Sequence, residues 1–358
     1  MYILDSCSIS SQDSYNNSDY LKEIINHKGT KIFAIEPDYS GIIKPGQLRR
    51  MGKALRMGIA TGTPLLNKFG TVDGIIIGTA SGGLEGAMDF LTQIVEYDEG
   101  TLTPTNFIQS TPNNVAGQLA LITNNKNYNN THIAGALAFE NALIDAQLLF
   151  QDNPNGKVLV GNVEEESSFN FNIDKLAGFF KEEETELKNL LNSNTKGTVV
   201  GEGSAMFIIS NEIEDVDKFV KIVEVETYTY PDYSDVLKGV EDILNQNSID
   251  INEVDAIMMG MNGDVEQDKW YEKLIEERFA DKAILSFKNL IGDYQTSSAF
   301  ALKMANDILK GASYSDTVFY KNKTDKKINS ILIYNHFREN QHSLMLIVND
   351  IFYKNRNQ

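Results

Sequence analysis

The chain carries one thiol, Cys7, and four histidines, His27, His132, His336 and His342, spread along 358 residues. A single cysteine excludes an internal disulfide, and so sparse a set of soft ligands argues against zinc, which takes clustered Cys and His at short spacing. Cys7 falls in the first predicted strand, where a buried thiol is inert. His132 precedes a helical stretch. There a lone histidine reads as a hydrogen-bonded core residue, the alternative being a ring turned into a pocket. Asp264, Glu266 and Asp268 form an acidic cluster behind an apolar run. The cluster reads as a solvated helix start favoured by the dipole, the alternative being a cation site. The acidic runs at 164–166 and 182–186 read as solvated surface, since carboxylates adjacent in sequence rarely converge on one ion. Ser81-Gly82-Gly83 supplies a tight turn where glycine tolerates positive φ. The full Gly-x-Gly-x-x-Gly pattern is absent, which argues against a dinucleotide site. Gly201-Glu202-Gly203, inside a predicted strand, marks a close backbone approach or a bulge. No metal and no cofactor is expected.

The bulk composition narrows the class. Against 32 basic residues stand 50 acidic ones, a net charge of −18. That balance opposes binding to nucleic-acid phosphates or to an anionic membrane surface. At 42% apolar and 23% charged residues, the composition is that of a globular protein with a sizeable core. The start, Met-Tyr-Ile-Leu-Asp-Ser-Cys, has no charged region followed by a long apolar one, so no signal peptide is expected and the cytoplasm is the expected compartment.

These residues need elements to position them. Strands are predicted at 2–9, 72–78, 157–163 and 198–210, and helices at 48–67, from Leu84 onward, and at 139–150. The run Val72-Asp73-Gly74-Ile75-Ile76-Ile77-Gly78 is continuously apolar after its first residues, as for a strand buried on both faces. About half the chain later, Val254-Asp255-Ala256-Ile257-Met258-Met259-Gly260 repeats it, with the same Val-Asp start and the same terminal glycine. Around this second run the order of elements starts again: strands at 219–228, 283–287, 330–334 and 343–348, helices at 235–245, 267–279 and 296–310. Alternating strands and helices predict an α/β layered protein built from two similar units, an N-terminal one over residues 1–218 and a C-terminal one over 219–358.

The segments, in order, resemble the β-ketoacyl-acyl-carrier-protein synthases. Those that carry the likeness are Arg49-Arg50-Met51, Ile77-Gly78-Thr79-Ala80-Ser81-Gly82-Gly83-Leu84-Glu85, Pro112-Asn113-Asn114-Val115-Ala116-Gly117, Gly201-Glu202-Gly203-Ser204-Ala205, Val254-Asp255-Ala256, and Lys288 with Gly292. Each is short and unspecific alone; their order and spacing together are specific, and they cover nearly the whole chain. The resemblance implies the thiolase-like fold, duplicated βαβαβαββ halves in an αβαβα layering, with some peripheral loops trimmed.

It also implies a chemistry. A condensing enzyme needs a cysteine at a helix N-terminus to accept the acyl chain. Two histidines polarise the malonyl thioester and stabilise the carbanion that decarboxylation leaves. By the resemblance the nucleophile position falls on Ala136, within Gly135-Ala136-Leu137-Ala138-Phe139-Glu140. One histidine position falls on Gly260, with Asp268 supporting the register, and the other on Asp293, five residues after Lys288. All three positions lack a catalytic group. The family's terminal Gly-Phe-Gly-Gly loop, which lends a backbone N–H to the oxyanion hole, reads here as His336-Phe337-Arg338-Glu339.

The resemblance therefore points to a non-catalytic ketosynthase-like subunit of the chain-length-factor kind. Such a subunit pairs with an active ketosynthase and shapes the acyl cavity in polyketide or fatty-acid-type biosynthesis. Phe107-Ile108-Gln109-Ser110-Thr111-Pro112-Asn113-Asn114 and Phe139-Glu140-Asn141-Ala142-Leu143 look like the short ketosynthase-like proteins of aryl-polyene and flexirubin-type pigment clusters. Ala136, Leu137, Asn262, Lys288, Asp293 and Phe337 are the expected lining of the vestigial acyl pocket. The expected partner is an active ketosynthase in a heterodimer, or a second copy in a homodimer. Acidic carrier proteins would dock through that partner, because like charge opposes them here. Lys44, Arg49, Arg50, Lys53 and Arg56 form the one dense basic stretch, either an internal or dimer-facing helix or a small landing patch. The competing reading is a divergent acyl-thioester enzyme, an acyltransferase, decarboxylase or hydrolase, working through Asp293, Lys288, His132 or Asn262.

Overall fold

The computed structural model describes residues 1–80, 82–212 and 219–349. Ser81 of the predicted turn, residues 213–218 of the acidic interruption and with them the boundary expected at 218 lie outside the described residues. The strands are β1 (Tyr2–Ile9), β2 (Lys28–Gly29), β3 (Gly74–Gly78), β4 (Tyr128–His132), β5 (Lys157–Glu164), β6 (Thr185–Glu186), β7 (Gly203–Ser210), β8 (Val220–Thr229), β9 (Ala256–Met259), β10 (Ala283–Ser286), β11 (Phe319–Lys321), β12 (Ser330–Phe337) and β13 (Gln341–Asn349). The helices are α1 (Pro45–Leu48), α2 (Lys53–Phe69), α3 (Leu84–Glu96), α4 (Pro104–Gln109), α5 (Asn114–Thr123), α6 (Ala138–Asp152), α7 (Ser168–Leu176), α8 (Tyr233–Gln246), α9 (Lys269–Arg278), α10 (Lys288–Ile291) and α11 (Ser298–Leu309).

Eleven strands share one mixed sheet in the order β11-β10-β9-β12-β13-β8-β1-β7-β5-β3-β4. Outward from its middle, the arms β1-β7-β5-β3-β4 and β8-β13-β12-β9-β10 have the same sense: two antiparallel pairings, then two parallel ones. The two Val-Asp runs become β3 and β9, at equivalent places in the arms. A short ladder, Tyr2 with Lys221 and Ile3 with Val220, joins the arms into one sheet.

Side-chain alternation along the strands builds the layers. On β3, Ile76 packs into a central core with α6 and α11, while Ile75 and Ile77 pack outward against α2 and α5. On β9, Ala256 and Met258 join the same central core, and Ile257 and Met259 face α8 and α9. The stack is thus helix, sheet, helix, sheet, helix. Both apolar runs are continuous because each strand is buried on two faces.

Two predicted elements are shorter than their patterns. The helix expected over 48–67 breaks between Leu48 and Lys53, where Gly52 (ψ 164°) is the extended residue that caps α2. The strand expected from 198 begins only at Gly203. Residues before it leave the sheet, and Val200 bridges both Lys31 and Asp293.

Candidate functional site

Two strand-to-helix junctions, β4 to α6 and β10 to α11, sit at equivalent ends of the two arms and hold the positions singled out above. At the first, Ala136 is 2% exposed in a single turn, Gly135–Leu137, ahead of α6. Its N–H donates to Gln341 Oε1 at 2.7 Å, and Gln341 Nε2 donates to Ala134 O at 2.9 Å. Gly135 takes φ 61°, and a Cβ there would lie 2.6 Å from Gln341 Oε1. Leu137 is buried beside it. His132, at the end of β4, lies 2.8 Å through Nε2 from Asp145 Oδ2 on α6 and 3.3 Å from Asn130 Nδ2. This is the hydrogen-bonded reading of that histidine. Glu140, in the first turn of α6, is fully buried. Burial pushes its carboxyl above the usual range, and the Ser298 and Ser343 hydroxyls pull it back. No feature of the sequence set Glu140 apart, because burial of an acid is decided by what packs over it.

The second junction is charged. Lys288 Nζ lies 2.9 Å from Asp293 Oδ1, and both side chains are almost wholly buried. Asn262 Nδ2 donates to Asp293 Oδ2 at 2.8 Å. The main chain holds Asp293 as well: its N–H donates to Val199 O at 2.8 Å and its carbonyl accepts from Gly201 N–H at 2.9 Å. A Cβ at Gly201 would strike Ile291 O, so the Gly201-Glu202-Gly203 segment marks a close backbone approach and not a bulge. Beside this pair, a Cβ at Gly260 would run into Asn335 Oδ1 and sit 2.8 Å from Tyr271 Oη. The space a histidine would need there is filled.

The loop after β9 corrects the reading of its acids as a solvated helix start. Asp264 and Asp268 are buried. Asp268 accepts the N–H groups of Asn262 and Gly263 at 2.9 and 2.8 Å, and Asp264 that of Gly197 at 2.6 Å. Burial pushes the Asp268 carboxyl up to about 7, against the pull of those two N–H groups and of Lys288. These acids brace a loop. Glu266 alone is solvated, paired at 2.9 Å with Lys196.

The acidic run at 164–166 is corrected too. Glu164 is buried at the end of β5, accepting from Thr79 Oγ1 at 2.9 Å and from Ala80 N–H, while Glu165 accepts from Ala54 N–H at 3.0 Å. Burial pushes Glu166 up to about 7, with Lys31 opposing. Together with Asp293, Phe337 and Arg338 they line a cavity of about 40 Å³, room for a few waters at most. Sequence neighbours converge here because the strand ends and each carboxylate finds its own backbone or hydroxyl donor. Among the described residues, no three His, Cys, Asp or Glu side chains are arranged to hold a metal ion.

The His336-Phe337-Arg338-Glu339 turn closes over this cavity. Arg338 and Glu339 take φ 50° and 56°, so the turn keeps left-handed geometry without glycine. The Arg338 guanidinium lies 3.6 Å from the Phe179 ring centre and 2.6 Å from Asp174 Oδ2 on α7. His336 is buried and stacked on Tyr271 at 4.4 Å. Burial holds its imidazole well below the usual range, and His342 and Lys288 lower it further. The structure therefore joins Lys288, Asp293 and Asn262 by hydrogen bonds and places Phe337 with Asp293 on one cavity. Ala136 and Leu137 do not line that cavity; their turn is tied to Gln341 instead.

A larger cavity, about 560 Å³, opens between α2 and α3–α5, lined among others by Arg50, Met51, Leu84, Gln109 and Val115. Of the basic stretch, Lys53 pairs with Glu202 and Arg56 with Glu36, while Lys44, Arg49 and Arg50 stay exposed.

Residues 33–171 match the family model of the β-ketoacyl synthase N-terminal domain. No curated protein matches the chain in sequence. Among solved structures, the chain is similar to the ketosynthase ApeO in complex with its chain length factor ApeC from Xenorhabdus doucetiae, at 12% identity over 97% of each chain and a TM-score of 0.76. It is similar to the ishigamide ketosynthase/chain length factor, at 13% identity over 97% of this chain and 98% of that one, TM-score 0.77. A β-ketoacyl synthase from Burkholderia phymatum STM815 gives 15% identity, the same coverage and a TM-score of 0.76. The whole chain carries the thiolase-like ketosynthase fold, and its residues 33–171 match the β-ketoacyl synthase N-terminal domain.

Proposed function

We propose that the chain is a catalytically silent ketosynthase-like subunit of the chain-length-factor kind. It pairs with an active β-ketoacyl-ACP synthase and helps enclose the growing acyl chain, in a polyketide-type pathway such as aryl-polyene synthesis. One observation carries this reading: the cavity at Asp293 and Phe337 is about 40 Å³, too small for an acyl thioester, and the space above Gly260 belongs to Asn335 and Tyr271. The enzyme reading loses its candidates to their partners. Asp293 and Lys288 neutralise one another, and Asp145 holds His132.

The outer edge of the sheet suggests where a partner sits. Among the described residues β4 pairs with β3 alone, which leaves one side of its backbone open. Near it, α5, β4 itself and the residue after β4 expose Leu121, Ile122, Tyr128 and Ile133, while α3 and α4 expose Val95 and Phe107. An open strand edge with apolar side chains beside it is a surface built to be covered. The structural neighbours include a ketosynthase in complex with its chain length factor, which supports an active ketosynthase as the cover. Carrier proteins then dock through that partner, sparing a −18 surface the approach of an acidic domain. No helix among the described residues is long and apolar enough to cross a membrane.

The test is co-expression with an active β-ketoacyl-ACP synthase from the same organism, then malonyl-carrier condensation with and without this chain. The proposal requires a one-to-one complex, with condensation or product length depending on a chain that is inert alone. A chain that forms only homodimers, or turns over an acyl thioester by itself, overturns it.

A further inference from the structure

The turn before α6 is closed by a side chain from the far end of the sequence. The first N–H groups of a helix have no partner within it and attract any oxygen that reaches them. At the nucleophile position that oxygen is already supplied: Gln341, on β13, turns its amide carbonyl onto Ala136 N–H and its amide NH₂ onto Ala134 O. Two hydrogen bonds hold the amide on both sides of Gly135, whose missing Cβ leaves the room for it. An amide C=O received by the N–H at an acyl-accepting position has the shape and polarity of a bound acyl group.

We infer that Gln341 is a built-in plug that occupies the acyl-receiving N–H of Ala136. The inference rests on the silent-subunit reading and deepens it: the junction is blocked as well as disarmed. A thiol alone, placed at 136, would still find the N–H that should polarise an incoming thioester engaged by Gln341.

Two measurements test it on the full chain. The first is backbone amide exchange at Ala136 in the wild type, in Gln341→Ala, and in Gln341→Met, which keeps the bulk and removes the amide. Both variants should exchange at Ala136 at least about tenfold faster, with α6 otherwise protected; unchanged exchange in both overturns the plug.

The second uses Ala136→Cys alone and combined with Gln341→Ala, treated with the hexanoyl thioester of N-acetylcysteamine. The introduced thiolate attacks the carbonyl carbon, the bond to the N-acetylcysteamine sulfur breaks, and that thiol leaves with the proton the cysteine released. Acylation of position 136 should be at least about tenfold faster in the double variant. Cys7 is the internal control, because burial pushes its thiol up to about 12 and label on it reports unfolding. Equal acylation of single and double variants overturns the plug and leaves silence standing. Turnover of the same thioester by the wild-type chain overturns silence, whatever the exchange data say.

Discussion

The two strand-to-helix junctions share an architecture and solve opposite problems. At β4–α6 the turn itself carries no ion pair: Ala136 is clamped by an amide, and the nearby acid Glu140 is buried without a cation. At β10–α11 the contents are ionic: Lys288, Asp293 and Asn262 form a network under His336, closed by backbone from Val199 and Gly201. The contrast teaches that each junction is filled by whatever its surroundings can satisfy, a hydrogen-bonding amide where only N–H groups wait, a carboxylate where a lysine is already buried.

The ionic junction should be the more fragile. Lys288→Met leaves Asp293 buried without its cation and should cost about 3–5 kcal/mol in denaturant unfolding. Adding Asp293→Asn should return much of that loss. A single-variant cost below about 1 kcal/mol would mean that the pair is hydrated, and the contrast between the junctions would collapse.

Next in size is Gly260→His, which puts a ring where Asn335 and Tyr271 now sit. Overpacking should cost about 1–3 kcal/mol, and Asn335→Gly on the same chain should relieve it. No relief would show that the space is not what Asn335 takes.

Acid titration sharpens the comparison further, because groups around the ionic junction pull in opposite directions. His336 and His342 are held below the usual histidine value of 6.5 by burial. Their stabilisation is complete above pH 6.5 and is lost as pH falls, since the unfolded chain takes up protons that the folded chain refuses. Asp268 is pushed up to about 7, so the folded chain takes up its proton first and stability gains as pH falls from about 7 towards 4. Each proton is worth about 1.4 kcal/mol per pH unit. Between pH 6 and 4.5, Asp268→Asn should steepen the acid loss and His336→Gln should flatten it; the reverse order would contradict the burial assigned to one of them.

The smallest effect on stability belongs to the open edge. Leu121→Glu on the exposed face of α5 should move unfolding by no more than about 0.5 kcal/mol while abolishing co-purification with the ketosynthase. Retained binding would move the interface elsewhere.

Much of the fold was legible. The Val-Asp runs, continuously apolar and repeated half a chain apart, are β3 and β9, because a strand buried on two faces admits little besides apolar residues. The strand read at 157–163 and the helices read at 139–150 and 296–310 are β5, α6 and α11, each within two residues at either end. Glu164–Glu166 and Asp264–Asp268 were not legible. Their acids read as solvated, and burial was decided by backbone donors from segments remote in sequence.

The sequence by itself determined the layering and the duplication, since these follow from residue type and local period. Only the tertiary structure decided what stands against Ala136 and Gly260. Gln341 reaches Ala136 across 205 residues, and Asn335 enters above Gly260 from a neighbouring strand. No local pattern encodes either contact, because a buried N–H or an empty volume is satisfied by proximity in space, and the sheet alone brings those residues together.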